Sequence, residues 1–428
     1  MERFWICGGK KLCGEVQVHG AKNAILPLLA AALLTDEQVY FEDVPDLCDI
    51  RSMMEILRHL GCRAERESGG ILVESAGMDG CDMPDKQCKQ IRSSIFLLGP
   101  LLAKLRCAKV PCPGGCEIGL RPIDLHLKGL RMLGVHIQDV EGKLVCRGEN
   151  MHAGNVYLDY PSVGATENVI MASVLLPGTT VIHNAAREPE IVDLCRFINR
   201  MGGRIRGSGS QVIRIDGVKR LYGVTYKAIP DRIVAGTLLC AGAVTGGQVR
   251  IRDAQFSNLL PVIDKLTEMG CDIKREKGGL ILRAPGRLCA FSNLQTSPHP
   301  GFPTDMQSQM LTLATVADGC SMITENVFES RYATAGDLLR MGADIRIAGR
   351  TAVVRGVEKL TGANVRARDL RGGAALVLAA LCARGESTVT NISLIDRGYD
   401  KMECMLASLG AQIKRISDFR EEHIHADP

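Results

Sequence analysis

Apolar residues recur with helical spacing in several short segments, and each segment ends at a Leu-Gly or Met-Gly step. In HLKGLRMLG and VIDKLTEMG, for example, apolar residues return every three or four positions. Glycine enters the left-handed conformation without a side-chain clash, so a glycine at such a place is typical of a helix C-terminus. These glycines follow one another at nearly equal intervals, and they are Gly61, Gly134, Gly202, Gly270, Gly342 and Gly410. The regular spacing predicts six copies of one structural unit.

A helix of small and aliphatic residues precedes each of these segments, as in RIVAGTLLCAGAV and AALVLAALCA. A glycine-led turn and a short strand follow that helix, and alternating apolar and polar residues follow the capping glycine, as in TAVVRGV. Each unit is therefore predicted to run strand, helix, strand, helix, strand, strand. Because the first helix is apolar on all sides, we expect it inside a domain with the sheets outside. Six unrelated helix ends are the alternative interpretation.

A chain of 428 residues is too long for one ordinary hydrophobic core, so the six units are expected to form two groups of three. The segment GVTYKAIPDR, before the fourth unit, parallels GEVQVHGAKNA near the N-terminus. This parallel predicts that the N-terminal strand belongs with the C-terminal half. The first domain is then residues 22–229, and the second is residues 1–21 together with 230–428. The chain would cross between them twice, near 21–22 and 229–230.

Composition indicates a folded protein with an aliphatic interior, since 46% of the residues are hydrophobic, 23% are charged and only 4% are aromatic. A net charge of +4 predicts neither a nucleic-acid surface nor a polybasic membrane patch. The chain has no run of about 18 apolar residues, so no membrane span is expected. Its 17 cysteines are irregularly spaced and no apolar signal sequence is evident, which favours reduced cysteines, many of them in the core, in a cytoplasmic protein.

Four units place an arginine at the same point, between the short strand and the second helix: Arg121, Arg187, Arg331 and Arg397. In a pseudo-symmetric fold the equivalent loops crowd at one end, where guanidinium groups form a floor suited to phosphate and carboxylate. Lys22 and Arg92 add cations beside helix starts, which themselves attract anions. Alternatively, each arginine simply pairs with a neighbouring acid, as Arg187 could with Glu188 or Glu190.

Two further segments carry candidate catalytic side chains. VPCPGGCEIGLRP places Cys116 in a glycine-rich loop close to Arg121, a setting that favours a lowered thiol pKa. A zinc site with Cys112 is an alternative that lacks a second ligand pair nearby, and an ordinary loop thiol is a third interpretation. HPGFPTDMQSQ places Asp305 between a proline turn and a helix start, where it is either a helix N-cap or a general base.

Several longer motifs carry a family resemblance that runs from about residue 2 to residue 415. They are GAKNA, IRSS, PGGCEIGLRPIDLH, SVGATEN, AAREPEIVDL, FPTDMQ, ENVFESRY, DLRGGAALVLA and DRGY. Together they resemble the UDP-N-acetylglucosamine (UDP-GlcNAc) enolpyruvyl transferases of the EPSP synthase superfamily. The resemblance implies an α/β (α+β) fold of two inside-out, barrel-like domains, each of three βαβαββ repeats, with the active site in the cleft between them.

The resemblance also implies the reaction. The enolpyruvyl group of phosphoenolpyruvate would be transferred to the 3-hydroxyl of UDP-GlcNAc by addition and elimination through a tetrahedral intermediate, with release of phosphate. This is the first committed step of peptidoglycan synthesis in that family, and it needs no metal or redox cofactor. Closure of the two domains would exclude water from the intermediate. Neither nucleic acid nor membrane is implied as a partner.

Carried over by motif, the resemblance implies roles for individual residues. Those implied for phosphoenolpyruvate are Lys22, Arg92, Arg121 and Arg397. Those implied for UDP-GlcNAc are Asn23, Arg92, Arg121, Pro122, Ile123, Asp124, Leu125, Ser162, Val163, Gly164, Asp305 and Val327. Those implied as supporting residues are Arg331, Asp369 and Arg371.

The implied catalytic residues are Lys22, Cys116, Asp305 and Arg397. Asp305 would act as base on the sugar hydroxyl. Cys116 would act as acid or transient nucleophile, and it matches the thiol that the epoxide fosfomycin alkylates in such enzymes. The sister enzyme that makes 5-enolpyruvylshikimate 3-phosphate and an idle paralogue that only senses UDP-GlcNAc are the rival functions.

Three positions depart from the pattern of some relatives. Cys48 and Tyr160 stand where some relatives have lysine, and Leu394 stands where some have histidine beside the DRGY motif. Fewer cations at these positions would mean weaker substrate binding or altered loop closure.

Overall fold

The computed structural model describes residues 2–111 and 123–417. The α-helices of these residues are α1 Lys22–Ala31, α2 Cys48–His59, α3 Asp85–Gln90, α4 Leu98–Leu105, α5 Asp124–Met132, α6 Val163–Ser173, α7 Pro189–Arg200, α8 Arg232–Val244, α9 Leu260–Glu268, α10 Gln307–Val316, α11 Ala335–Arg340, α12 Leu370–Cys382 and α13 Met402–Ser408. Short 3₁₀ turns cover Ala32–Leu34, Arg92–Leu97, Phe256–Leu259, Thr304–Met306, Arg331–Thr334 and Ile392–Leu394.

Short strands alternate with these helices. They are β1 Glu2–Cys7, β2 Cys13–Gln17, β3 Val39–Glu42, β4 Arg63–Glu67, β5 Gly70–Glu74, β6 Cys107–Pro111, β7 His136–Val140, β8 Lys143–Arg147, β9 Asn155–Tyr157, β10 Thr179–His183, β11 Ile205–Arg206, β12 Val212–Asp216, β13 Val224–Lys227, β14 Gln248–Arg252, β15 Asp272–Glu276, β16 Gly279–Arg283, β17 Asn293–Gln295, β18 Cys320–Thr324, β19 Asp344–Ala348, β20 Thr351–Arg355, β21 Asn364–Arg366, β22 Glu386–Thr390 and β23 Gln412–Ser417.

The strands of the described residues form six small mixed sheets. Five have four strands each, in the orders β13-β3-β5-β4, β9-β10-β12-β11, β2-β14-β16-β15, β17-β18-β20-β19 and β21-β22-β1-β23. Each of these five contains one parallel pair followed by two antiparallel pairs. The sixth sheet, β6-β8-β7, has the two antiparallel pairs and, at the fourth position, a single parallel bridge between Asp82 and Lys109. One pattern found six times is consistent with the six predicted units.

The first strands of the chain pair with strands far along it. β1 lies between β22 and β23, and β2 runs parallel to β14, with Val16 opposite Ile251. Likewise β13, which lies just before residue 229, runs parallel to β3 near the start of the chain, with Tyr226 opposite Phe41. The two segments that make this exchange meet at a bridge between Gly20 and Pro230. These pairings support the domain boundaries expected near 21–22 and 229–230, which stay a prediction.

Buried apolar side chains form two clusters. The first cluster lies between Ala21 and Ile229, and the second comprises residues 4–18 together with residues 233–413. In the second cluster α8, α10 and α12 contact one another, and α8 buries every residue except Arg232. The second helix of a unit is amphipathic instead. The helix α9, for example, fully buries only Val262, Ile263 and Leu266. The expectation that the apolar helices lie inside is therefore confirmed for these elements.

The capping glycines adopt the conformation that the sequence predicts. Their φ angles lie between +84° at Gly134 and +100° at Gly202, and Gly342 has a φ of +93°. Each follows the last residues of an amphipathic helix, as Gly342 follows α11. A side chain at this φ would clash with the backbone, which explains why the chain uses glycine at each of these helix ends.

The cysteines of the described residues are free thiols. Cys195 and Cys240 are buried, as predicted, and Cys382 is half-buried. Exposed cysteines are also present, and they are Cys13, Cys48, Cys289, Cys320 and Cys404. Within residues 2–111 and 123–417, none of the helices is both long and apolar enough to cross a membrane.

Candidate functional site

Lys22 and Arg397 share one carboxylate. Lys22 is the first residue of α1, and its Nζ lies 3.3 Å from Oδ2 of Asp49, in the first turn of α2. Arg397, shortly before α13, places Nε 3.0 Å from Oδ1 and Nη2 3.3 Å from Oδ2 of the same carboxylate. The chain crossing fixes the start of α1, because the backbone N–H of Lys22 donates to Asp231. The structure thus brings together two cations that the sequence separates by most of its length.

The carboxylate between these cations is buried, since Asp49 is 5% exposed. Burial by itself raises the pKa of a carboxyl group, but the positive charges of Lys22 and Arg397 outweigh it, and the pKa of Asp49 lies below its usual value. Asp49 is therefore ionised at neutral pH. Cys48 stands beside it, with its Sγ 3.9 Å from Oδ1 of Asp49, so one departure from the family pattern adjoins this group.

Asp305 is held between two buried arginines. It lies in the 3₁₀ turn before α10, and its Oδ1 is 2.5 Å from Nη2 of Arg331 while its Oδ2 is 3.2 Å from Nη2 of Arg371. The side chains of Arg331 and Arg371 are 2% and 3% exposed, whereas that of Asp305 is 27% exposed. Asp369, the N-cap of α12, adds a second carboxylate 3.6 Å from Arg331. The four predicted residues therefore form one cluster in which Asp305 faces solvent.

A buried glutamate fixes the backbone beside this cluster. Glu325 is 1% exposed and accepts hydrogen bonds from the N–H groups of Val327 and Phe328, at 2.8 and 3.0 Å. The hydroxyl of Thr304, next to Asp305 in the chain, also donates to Glu325, at 3.0 Å. Val327, predicted as a ligand of UDP-GlcNAc, is thereby tied to the segment that carries Asp305.

The DRGY segment joins the two groups. The guanidinium of Arg371 lies 5.5 Å from the ring centre of Tyr399, two residues beyond Arg397. The hydroxyl of Tyr399 forms a hydrogen bond with Thr237 in α8, at 2.9 Å. Burial lowers the pKa of an arginine, but Asp305 and other acceptors outweigh it at Arg371, whose pKa is raised. Arg371 therefore carries a full charge between Asp305 and the segment of Arg397.

The starts of α5 and α6 come together at a buried histidine. Ser162 caps α6, accepting a hydrogen bond from the N–H of Ala165 at 3.4 Å. A Cβ added to Gly164 would lie 2.7 Å from Cε1 of His126, so only glycine permits this approach. Nδ1 of His126 accepts a hydrogen bond from the side chain of Asn168, at 2.8 Å. Asp124, Leu125 and the 162–164 segment, all predicted to hold UDP-GlcNAc, therefore line one region.

His126 also lies close enough to Arg92 for the charge of the arginine to affect its pKa. Burial and, to a smaller extent, the positive charge of nearby Arg92 lower the pKa of His126 to about 4. The histidine is thus neutral at physiological pH and acts as a polar spacer between the two helix starts.

Part of the predicted site lies outside the described residues. The residues concerned are Cys112, Cys116, Arg121 and Pro122. Arg187 is half-buried, and Glu190, one of the partners considered for it, pairs instead with Arg232, with Nε 2.9 Å from Oε1. Tyr160, another departure from the family pattern, is 45% exposed. Among residues 2–111 and 123–417, no three His, Cys, Asp or Glu side chains are grouped closely enough to hold a metal ion.

Sequence reasoning missed Asp49, Glu325 and His126. An aspartate in the first turn of a helix is common because it favours the helix dipole, so Asp49 carried no distinguishing signal. Glu325 directly follows β18 and His126 lies inside a motif, and nothing local indicates what either one contacts. Only the tertiary contacts reveal their roles.

Comparison with known proteins shows the family of this chain. Residues 6–406 match the family model of EPSP synthase (3-phosphoshikimate 1-carboxyvinyltransferase). UDP-N-acetylglucosamine 1-carboxyvinyltransferase 2 of Caldanaerobacter subterraneus subsp. tengcongensis is 48% identical over 97% of this chain and all of its own length. UDP-N-acetylglucosamine 1-carboxyvinyltransferase 1 of Symbiobacterium thermophilum is 49% identical, covering 97% of this chain and 95% of its own.

Solved structures share the fold. The enolpyruvyl transferase NikO of Streptomyces tendae superposes with a TM-score of 0.88 at 25% identity, covering 97% of this chain and 99% of its own. An EPSP synthase of Acinetobacter baumannii superposes with a TM-score of 0.77 at 17% identity, covering 97% of this chain and all of its own. This chain therefore has the mixed α/β enolpyruvyl transferase fold. It belongs to the EPSP synthase family and, within that family, to the UDP-N-acetylglucosamine 1-carboxyvinyltransferases.

Proposed function

We propose that this protein transfers the enolpyruvyl group of phosphoenolpyruvate to the 3-hydroxyl of UDP-GlcNAc and releases phosphate. The name of the relatives that are nearly half identical over the full length supports this reaction. The structural observation that carries it is the meeting of a two-cation site, Lys22 and Arg397, with the Asp305 cluster through the DRGY segment. A reaction between a triply charged small molecule and a sugar hydroxyl needs cations that bind the anion close to a base that accepts the hydroxyl proton.

The cations hold phosphoenolpyruvate. Lys22 and Arg397 both contact the carboxylate of Asp49, which supports their ability to bind an anionic oxygen there. Arg92 and Arg121 complete the proposed set. Neutralising the phosphate and carboxylate charges of phosphoenolpyruvate makes its double bond easier to protonate, because positive charge develops at C2 in the transition state.

Asp305 removes the proton from the 3-hydroxyl. The hydroxyl oxygen then forms a bond to C2 of phosphoenolpyruvate while C3 gains a proton, which produces a tetrahedral phosphate ester. In the second step C3 loses a proton and the bond from C2 to the phosphate oxygen breaks, so that the double bond reforms and phosphate leaves. Arg331 and Arg371 each bind one oxygen of Asp305 and so fix the direction of the carboxylate.

Cys116 supplies the proton to C3 or forms a transient bond with the substrate. A thiolate at this position attacks an epoxide carbon of fosfomycin, the carbon–oxygen bond opens, and a stable thioether results. The protein is therefore proposed to be sensitive to this inhibitor.

UDP-GlcNAc lies against the starts of α1, α5 and α6 and against the segment of Val327. The contacts between Gly164 and His126, and between Val327 and Glu325, support a preformed wall of backbone groups there. The residues proposed to bind it are Asn23, Arg92, Arg121, Pro122, Ile123, Asp124, Leu125, Ser162, Val163, Gly164, Asp305 and Val327. The site lies in a cleft between two inside-out domains of three repeats each, in a cytoplasmic enzyme.

Phosphate release with two acceptors tests the proposal. Purified protein with phosphoenolpyruvate is expected to release phosphate when UDP-GlcNAc is added and to release none with shikimate 3-phosphate. Release only with shikimate 3-phosphate would identify the sister activity instead. Binding of UDP-GlcNAc with no phosphate release under either condition would identify a sensor.

A further inference from the structure

Asp49 contacts two cations that belong to different halves of the molecule. Asp49 and Lys22 lie in the part of the chain that builds the first cluster, and Arg397 lies in the part that builds the second. The exposed fractions of the three side chains are 7% for Asp49, 10% for Lys22 and 29% for Arg397. The carboxylate uses both of its oxygens, one for Nε and one for Nη2 of Arg397, while Lys22 shares the second. Such a bidentate pair fixes the plane of the guanidinium as well as its position.

A second contact ties the same two segments together. The backbone N–H of Asp46 donates to Oδ2 of Asp400, at 3.0 Å. Asp46 precedes Asp49 by three residues and Asp400 follows Arg397 by three, so the two contacts join the start of α2 to the segment before α13 at two points. The position of Arg397 is therefore set from the opposite half of the molecule.

Without Asp49 the two cations would lose the carboxylate that they share. Removal of one partner from a buried ion pair is costly because the remaining charge stays desolvated. Arg397 is the most exposed of the three side chains, so its guanidinium can regain hydration by turning toward solvent. Lys22 has no such freedom at the buried start of α1.

We propose that Asp49 is a positioning residue, which holds Arg397 beside Lys22 across the boundary between the two halves so that a phosphate-bearing substrate meets both cations already in place. This inference rests on the proposed function, in which Lys22 and Arg397 bind phosphoenolpyruvate. Asp49 does not touch the reacting atoms. Its contribution is the ordering of Arg397 before the substrate arrives, which removes an entropic cost from binding and from reaction.

Binding measurements without turnover give the first test. Calorimetry with phosphoenolpyruvate alone would compare the wild type, Asp49→Asn, Arg397→Gln and the double variant. Arg397→Gln is expected to weaken binding at least tenfold in the wild-type background but less than threefold in the Asp49→Asn background, because Arg397 is no longer held in place there. Equal effects in both backgrounds would overturn the inference. A wild type that binds no phosphoenolpyruvate and also releases no phosphate with UDP-GlcNAc would instead refute the proposed function on which the inference rests.

Turnover gives the second test, with a variant that keeps the charge. Asp49→Glu moves the carboxylate by one methylene, and kcat for phosphate release is expected to fall tenfold or more, whereas a role for charge alone would leave kcat within threefold of the wild type. This variant also serves if Asp49→Asn does not fold. Glu55→Gln is the matched control, since its exposed carboxylate lies on α2, the same helix as Asp49, and kcat should stay within threefold. A comparable fall in the control would overturn the inference.

Discussion

The Oδ1 atom of Asp305 lies 2.5 Å from Nη2 of Arg331, a guanidinium whose side chain is only 2% exposed. The arginine cannot exchange this partner for water, so it keeps the carboxylate in one orientation. Asp305 itself retains 27% exposure, which leaves part of the carboxylate accessible to solvent. The arrangement suits a base that must meet a hydroxyl from a fixed direction.

Asp305→Asn is expected to lower kcat for phosphate release by about 10²- to 10⁴-fold, because the amide cannot accept the hydroxyl proton. The circular dichroism spectrum should be unchanged. Asp272→Asn is the control, since Asp272 lies on exposed β15 and pairs only with Lys274 among the contacts described, and it should retain full activity. Undiminished turnover in the Asp305 variant would remove this residue from the mechanism.

Arg331→Met is expected to destabilise the protein by about 3–5 kcal/mol, because it leaves Asp305 and Asp369 without their shared buried cation. The urea midpoint should fall accordingly. Arg384→Met removes an ion pair in which both side chains are more than half exposed, and it should cost about 0–1 kcal/mol. Equal midpoints for the two variants would mean that the buried pairs contribute little.

The sequence predicts some parts of the fold and the site and not others. The inner helices and the capping glycines have local signals, namely apolar runs and a required φ, so RIVAGTLLCAGAV and Gly342 were assigned correctly. Arg397 and Asp305 were found because they stand at repeat positions or in a family motif. Asp49 could not be found, because its local pattern is the same whether or not Arg397 lies against it. When two distant segments form an ion pair, a common residue type such as aspartate carries no local sequence signal of that contact.

Two glycines, Gly336 within α11 and Gly342 just after it, test the role of the left-handed helix caps. Gly342 has a φ of +93° with open space around the position of a Cβ, so Gly342→Ala is expected to destabilise by about 1–2 kcal/mol through backbone strain alone. Gly336 lies within α11, also with open space, and Gly336→Ala should stabilise by up to about 1 kcal/mol. Thermal unfolding of both variants measures the difference. A Gly342 variant as stable as the Gly336 variant would refute the assignment of a strained cap.

Glu167 predicts a pH-dependent stability. Both of its carboxylate oxygens are buried without a hydrogen-bond partner in the described residues, and burial, with Glu190 and Glu188 nearby, holds its pKa well above its ordinary value of 4.5. The unfolded chain therefore loses this proton first as the pH rises. The stabilisation that the neutral carboxyl group of Glu167 contributes is complete below pH 4.5. It is lost as the pH rises through the folded-state pKa of this group.

Glu167→Gln removes this titration while keeping the shape of the side chain. Its melting temperature is expected to exceed that of the wild type at pH 8, with the difference shrinking toward pH 4.5. Glu358→Gln, on an exposed side chain, is the control and should show little difference at any pH. A constant difference between Glu167→Gln and the wild type across this range would contradict a raised pKa.

Fosfomycin is expected to inactivate the enzyme and to add its mass to the peptide that contains Cys116. The exposed thiols of Cys13, Cys48 and Cys289 serve as internal controls and should stay unmodified at the same dose. Cys116→Asp should resist the inhibitor, because a carboxylate does not form the stable thioether. Labelling at another cysteine, with loss of activity, would refute the assignment.

Identification of the reaction product tests the central claim most directly. Mass spectrometry of UDP-GlcNAc incubated with the protein and phosphoenolpyruvate is predicted to show a nucleotide sugar heavier by one enolpyruvyl group, formed in equal amount with phosphate. An unchanged nucleotide sugar, recovered together with unconsumed phosphoenolpyruvate, would contradict the claim that the cations and Asp305 converge to join these two substrates.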